Sequence, residues 1–166
     1  MDELISGKAH VGGAFVLPDV SGKPRSLEEF RGRLVLLYFG YTSCPDVCPT
    51  DLAAMSAALR LLGARAAEVQ PLFVTLDPER DTPAVLKAYA AAFDPNLIAL
   101  RGSEADTRRV ARSYKVFFEK VSDPRGGYSI DHAAFTFLIG RDGRYIAFFP
   151  PGTHADRMAT MLKESL

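Results

Sequence analysis

Two apolar runs govern what this chain can fold into. Leu34 to Gly40, "LVLLYFG", is continuously apolar, and Val69 to Leu76, "VQPLFVTL", is nearly so. That pattern belongs to strands buried on both faces. Between them Leu52, Met55, Leu59 and Leu62 recur at helical spacing, and Gly63 stops the run. Alternating strands and helices argue for an α/β sheet covered on both faces.

The flanking segments extend this plan. "GGAFVLPDVSGKPRSLEEFRG" reads as a short hairpin, with Phe15 and Leu17 on one face and Gly22 and Pro24 marking the turn. Thr82 caps and Pro83 opens a helix that runs to about Phe93. "NLIAL" is a short strand, and Ser103 to Asp106 begins another helix. "KVFFEKV", "YSID" and "AFTFLI" are strand candidates, "RDGR" is a turn centred on Asp142 and Gly143, "YIAFF" returns, and "HADRMATMLKESL" is an amphipathic helix. The final hairpin makes the sheet mixed. We expect a loose N-terminal segment over residues 1–12 and one domain over 13–166.

With 166 residues, 48% of them hydrophobic, the chain can bury a real core. Its 20 basic and 20 acidic residues cancel, which argues against nucleic-acid binding through a broad basic face. No apolar run approaches the roughly 20 residues of a membrane helix, and "MDELISGKAH" is too polar for a signal peptide. Either the protein is soluble as it stands or these residues follow a targeting or anchor segment; composition does not choose.

Both cysteines lie in "YTSCPDVCPTDL", just past the first buried strand, where open α/β sheets place their sites. A bridge between Cys44 and Cys48 would close a tiny loop and add little stability. Their use is therefore chemical. Cys44 is expected in the loop and Cys48 near the first turn of the helix, with Pro49 at a first helical position. A helix N-terminus favours the thiolate, the form that attacks disulfides and binds metal. At spacing i, i+4 the two sulfurs can face the same way, which suits a shared soft metal ion or, with rotation, a disulfide. Two thiolates can hold Cu(I) but leave Cu(II) or Zn(II) short of a ligand.

Of the three histidines, His10 lies in the N-terminal segment and His154 where the last helix begins. His132, in "SIDHAAFTF", precedes an apolar strand; in a thioredoxin-type layout the loop there packs against the cysteine-bearing helix, which makes it the third ligand. The plain alternative for His132 is a buried, hydrogen-bonded histidine. Met55, Met158 and Met161 sit on apolar helical faces and read as core. Asp77, in "TLDPERDTP", falls at the same sheet edge as the cysteines, where it can hydrogen-bond a ligand or shape a turn with Pro78. Arg80 and Asp81 read as a local ion pair. Tyr41 and Tyr128 are candidates to line the site or to pack.

"YTSCPDVCPTDL", "FVTLDPERDTP" and "YSIDHAAFTFLIGRDG", in that order, resemble the Sco (SCO/SenC) family of copper proteins, which assist assembly of the CuA centre of cytochrome c oxidase. The likeness runs from about Gly13 to the C-terminus. It implies a thioredoxin-like fold with an extra N-terminal β-hairpin and an inserted β element before the last hairpin. It implies copper, Cu(I) and Cu(II), on Cys44, Cys48 and His132, with Asp77 as a neighbour only. It also implies a membrane anchor in the full-length protein, a place on the periplasmic side of a bacterial inner membrane (equivalent to the mitochondrial intermembrane space), and the CuA-bearing oxidase subunit as partner, with other copper chaperones or thiol reductants beside it. One departure is "DHAA": Ala133 stands where many relatives carry a hydroxyl residue.

Two functions share these residues. In a copper-loading assembly factor, Cys44, Cys48 and His132 hold the ion. In a thiol–disulfide oxidoreductase, Cys44 attacks, Cys48 resolves, and His132 is unnecessary. His132, and the absence of a proline between Arg125 and Ile139, favour copper. A peroxidase would need a threonine and an arginine around the attacking thiolate, a set not identifiable here.

Overall fold

The computed structural model describes residues 11–44, 47–132 and 135–166, and only the backbone of Val47, Cys48 and His132. Its centre is a five-stranded sheet in the order β5-β4-β3-β8-β9. The two buried runs are β3 (Leu34–Gly40) and β4 (Val69–Thr75), parallel and in register from Leu34 beside Val69 to Gly40 beside Thr75. β5 (Ile98–Leu100) continues the parallel half, while β8 (Thr136–Ile139) and β9 (Tyr145–Phe149) run antiparallel on the other side of β3. The sheet is therefore mixed, as the final hairpin requires.

β3 is apolar along its whole length, and β4 nearly so, because both of their faces are covered. Leu34, Leu36 and Tyr38 of β3 pack with Leu52, Met55 and Leu59 of α1 (Val47–Leu61), Leu86 and Ala90 of α2 (Pro83–Phe93) and Met158 and Leu162 of α4 (Ala155–Ser165). Val35, Leu37 and Phe39 face the other core, built from Val110, Ala111 and Tyr114 around α3 (Glu104–Ser113) and from the small hairpins. Local chemistry sets the helix starts. Thr82 accepts the Val85 N–H ahead of Pro83, and Ser103 accepts the Asp106 N–H.

Two hairpins stand outside the main sheet. β1 (Val16–Pro18) pairs with β2 (Pro24–Ser26), and β6 (Phe118–Ser122) with β7 (Tyr128–His132). These are the N-terminal hairpin and the inserted β element of a thioredoxin-like fold. Of the loose N-terminal segment expected over 1–12, residues 1–10 lie outside the described residues; Val11 is buried, and the Gly12 N–H donates to the Ser113 carbonyl over 2.7 Å. Among the described residues, no helix is long and apolar enough to cross a membrane.

Candidate metal centre

The site forms at the C-terminal ends of β3 and β4, where the chain leaves the sheet in two adjacent loops. The Leu76 N–H donates to the Gly40 carbonyl over 2.7 Å, so the loops start side by side. Cys44 follows in a turn closed by its own N–H on the Tyr41 carbonyl, at 3.2 Å. It is half-buried and touches both cores, at the place where the two faces of the sheet meet.

Cys48 is the second residue of α1, within the first turn, where backbone N–H groups have no partner inside the helix. Cys44 thus lies ahead of the helix and Cys48 within it, as expected. Pro49 is the third helical residue rather than the first, still within the turn where its missing N–H costs nothing. The side chain of Cys48 lies outside the described residues.

His132 ends β7, opposite Phe118. Its backbone is placed, while its side chain and Ala133 lie outside the described residues. Two residues earlier, the Ile130 N–H donates to the Tyr41 hydroxyl over 3.3 Å, and Ile130 and Tyr41 are both buried. Tyr41 is three residues before Cys44. This contact brings the cysteine loop alongside the strand that ends in His132.

The turn after β4 joins these parts. Asp81 is fully buried and does not pair with Arg80, contrary to the expected local ion pair. Its carboxylate accepts from the Thr42 N–H (3.0 Å), the Thr42 hydroxyl (2.5 Å) and the Thr75 hydroxyl (2.6 Å). Arg80 pairs with Asp77 instead, because its Nε reaches back three residues to Oδ2. The Asp77 side chain has no exposed surface and also accepts the Tyr128 hydroxyl at 2.6 Å. Arg80 lies 3.8 Å over the Tyr128 ring and donates through Nη1 to the Tyr128 carbonyl at 2.6 Å. Burial works against the Arg80 charge, but the hydrogen bond and charge of Asp77, with Tyr128 and Tyr41 nearby, together outweigh it and hold the guanidinium above its ordinary pKa. Loss of water contact, then the hydrogen bond to Asp77, pushes the Tyr128 phenol above its usual range, so it stays a donor.

Asp77, Tyr41 and Tyr128 are therefore gathered with Cys44 at one sheet edge. Met55 and Met158 are buried in the core, as read from sequence. His154 is the first residue before α4 and makes no side-chain cap, and His10 lies outside the described residues. Sequence reasoning missed Arg101, whose Nε donates to the Asp81 carbonyl (2.9 Å) and whose Nη2 donates to the Pro78 carbonyl (2.8 Å), pinning the turn from β5. A single arginine after a short strand carries no motif that could have disclosed it.

The Cys44 side chain and the backbones of Cys48 and His132 thus lie on segments that the Tyr41–Ile130 contact brings to one end of the sheet. Comparisons with known proteins identify the chain's relatives. A family model described as SCO1/SenC matches residues 4–166. The chain is 42% identical over 141 residues to the SCO2-like protein of Rickettsia felis, covering 84% of this chain and 69% of that one. It superposes on Bradyrhizobium japonicum ScoI with copper bound at a TM-score of 0.86 and 42% identity, over 94% of this chain and 99% of that one. BsSco, a member of the Sco family of cytochrome c oxidase assembly proteins in which a disulfide switch is identified, matches at a TM-score of 0.73 and 27% identity, over 94% and 93% of the two chains.

Proposed function

The chain belongs to the SCO1/SenC family, and on that premise we propose that it is a copper-binding assembly factor that helps load the CuA site of cytochrome c oxidase. Cys44, Cys48 and His132 hold the ion: two thiolates and an imidazole give a three-coordinate site for Cu(I), and one further ligand serves Cu(II). The observation that carries this reading is the Ile130–Tyr41 contact, which sets the strand ending in His132 beside the loop bearing Cys44. A relative of 42% identity with copper bound supports the choice of metal.

Copper leaves by ligand exchange with the CuA-bearing subunit, across the edge where Ser43 and the β6–β7 hairpin are exposed. The place of action is the periplasmic side of a bacterial inner membrane, an oxidising compartment in which a cysteine pair can cycle. Cys44 and Cys48 also support a second reading, favoured by the disulfide switch identified in BsSco. There the Cys44 thiolate attacks a partner disulfide, Cys48 resolves the mixed disulfide, and the partner leaves with two thiols while this chain keeps the bridge. Oxidation removes both thiolates and expels copper, so the two uses alternate.

Titration of reduced protein with Cu(I) and Cu(II), beside Cys44→Ala, Cys48→Ala and His132→Ala, tests the first reading. We expect each substitution to weaken binding. A His132→Ala protein that binds both ions like the parent would refute the three-ligand site. A parent that binds neither ion yet rapidly reduces a protein disulfide would establish the oxidoreductase.

A further inference from the structure

The five-residue turn from Asp77 to Asp81 carries two buried carboxylates that serve different loops. The turn is tight, with the Asp81 N–H on the Asp77 carbonyl at 2.9 Å. Asp81 holds Thr42, two residues before Cys44, by both N–H and hydroxyl. Asp77 holds Tyr128, the first residue of the strand that His132 ends, and Arg80 reinforces that grip by stacking on the Tyr128 ring and donating to its carbonyl.

The hairpin needs such a grip. A two-stranded ribbon is marginal alone, and in β6 only Phe118 is buried. Phe118, at the open end beside His132, and Ile130, in the middle, anchor the hairpin in the core, and the Tyr41 hydroxyl accepts the Ile130 N–H. The Tyr128 end is fixed to the body by Asp77 and Arg80. Glu79, in the same turn, pairs with Lys120 of β6 at 3.0 Å, on the exposed side.

Resting on the three-ligand reading, we propose that the Asp77–Asp81 turn is a positioning element that fixes the separation of Cys44 and His132. None of its residues needs to touch the ion. Asp81 sets the cysteine loop, Asp77 with Arg80 and Tyr128 sets the histidine strand, and the short backbone between the carboxylates makes the spacing rigid. Partners that orient metal ligands from outside the coordination shell are worth about 10- to 100-fold in affinity.

The test uses Tyr128→Phe, Asp77→Asn and Asp81→Asn in the whole chain, with Ser129→Ala, an exposed neighbour in β7, as the control. We expect Tyr128→Phe and Asp77→Asn to weaken Cu(II) binding by about 10- to 100-fold and to shift its thiolate-to-copper charge-transfer band and electron paramagnetic resonance spectrum. Ser129→Ala keeps the parent's values. In metal-free protein, hydrogen exchange accelerates at the Ile130 amide in Tyr128→Phe and at the Thr42 amide in Asp81→Asn, while the centre of β3 is unchanged. Variants that lose thermal stability but keep the parent's affinity and copper spectrum would reduce the turn to an ordinary staple of the fold and overturn the proposal. If His132→Ala binds copper like the parent, the ligand set is what fails. Exchange in the metal-free protein then decides the turn: acceleration confined to those two amides keeps it, and uniform or absent acceleration removes it.

Discussion

The Thr42 hydroxyl donates to the buried Asp81 carboxylate over 2.5 Å, and the Thr42 N–H donates to its other oxygen over 3.0 Å. The two residues are 39 positions apart and tie the loop that leads to Cys44 to the turn after β4. Asp81→Ala would leave the buried Thr75 hydroxyl and the part-buried Thr42 N–H without this acceptor. We expect it to cost about 3 kcal/mol, whereas Thr42→Val, which leaves the carboxylate its other donors, costs about 1 kcal/mol. Urea denaturation of both variants measures the difference.

Gly102 meets the core without slack. A Cβ added there would stand 2.7 Å from the Leu17 Cδ2, and Leu17 is fully buried. Gly102→Ala is expected to destabilise by about 1–3 kcal/mol through overpacking. Urea denaturation beside the parent checks it.

Acid should loosen the N-terminal hairpin. Burial opposes the Asp19 charge, but hydrogen bonds from Ser21, Arg25 and Lys23 outweigh it and hold the carboxyl below its ordinary 3.8. The hydrogen bond from Arg25 holds Glu29 below its ordinary 4.5. Both groups bind protons more weakly when folded, so their contribution is present above those ordinary values and is lost as pH falls through the lower, folded ones. Thermal melts of the parent should therefore fall in stability below pH 4.5 more steeply than those of an Asp19→Asn, Glu29→Gln variant.

His154 starts α4 without accepting a hydrogen bond from the helix. His154→Ser supplies that acceptor and is expected to raise stability by about 0.5–1 kcal/mol. It should leave Cu(I) and Cu(II) binding at the parent's level, which separates His154 from His132 directly.

Much of this was legible beforehand because the signals were strong and local. The apolar runs of β3 and β4, the Thr82–Pro83 start of α2 and the Asp142–Gly143 turn each state their structure within a few residues. Cys44 and Asp77 could be placed at one edge from strand order, whereas Tyr128 was open between lining the site and packing. The pairing inside that edge was not legible. Arg80 lies next to Asp81 in sequence, yet it pairs with Asp77, since the tight turn aims Asp81 at Thr42 and Thr75 and leaves Asp77 facing the hairpin. Cys44 ahead of the helix and Cys48 within its first turn were legible from the prolines around them and from the strand before.

X-ray absorption at the copper edge of reduced, Cu(I)-loaded protein, compared with His132→Ala, tests the central claim most directly. We expect two sulfur ligands and one imidazole nitrogen in the parent, with the imidazole scattering lost in the variant. A sulfur-only shell in the parent, or an unchanged imidazole signal in His132→Ala, would contradict it.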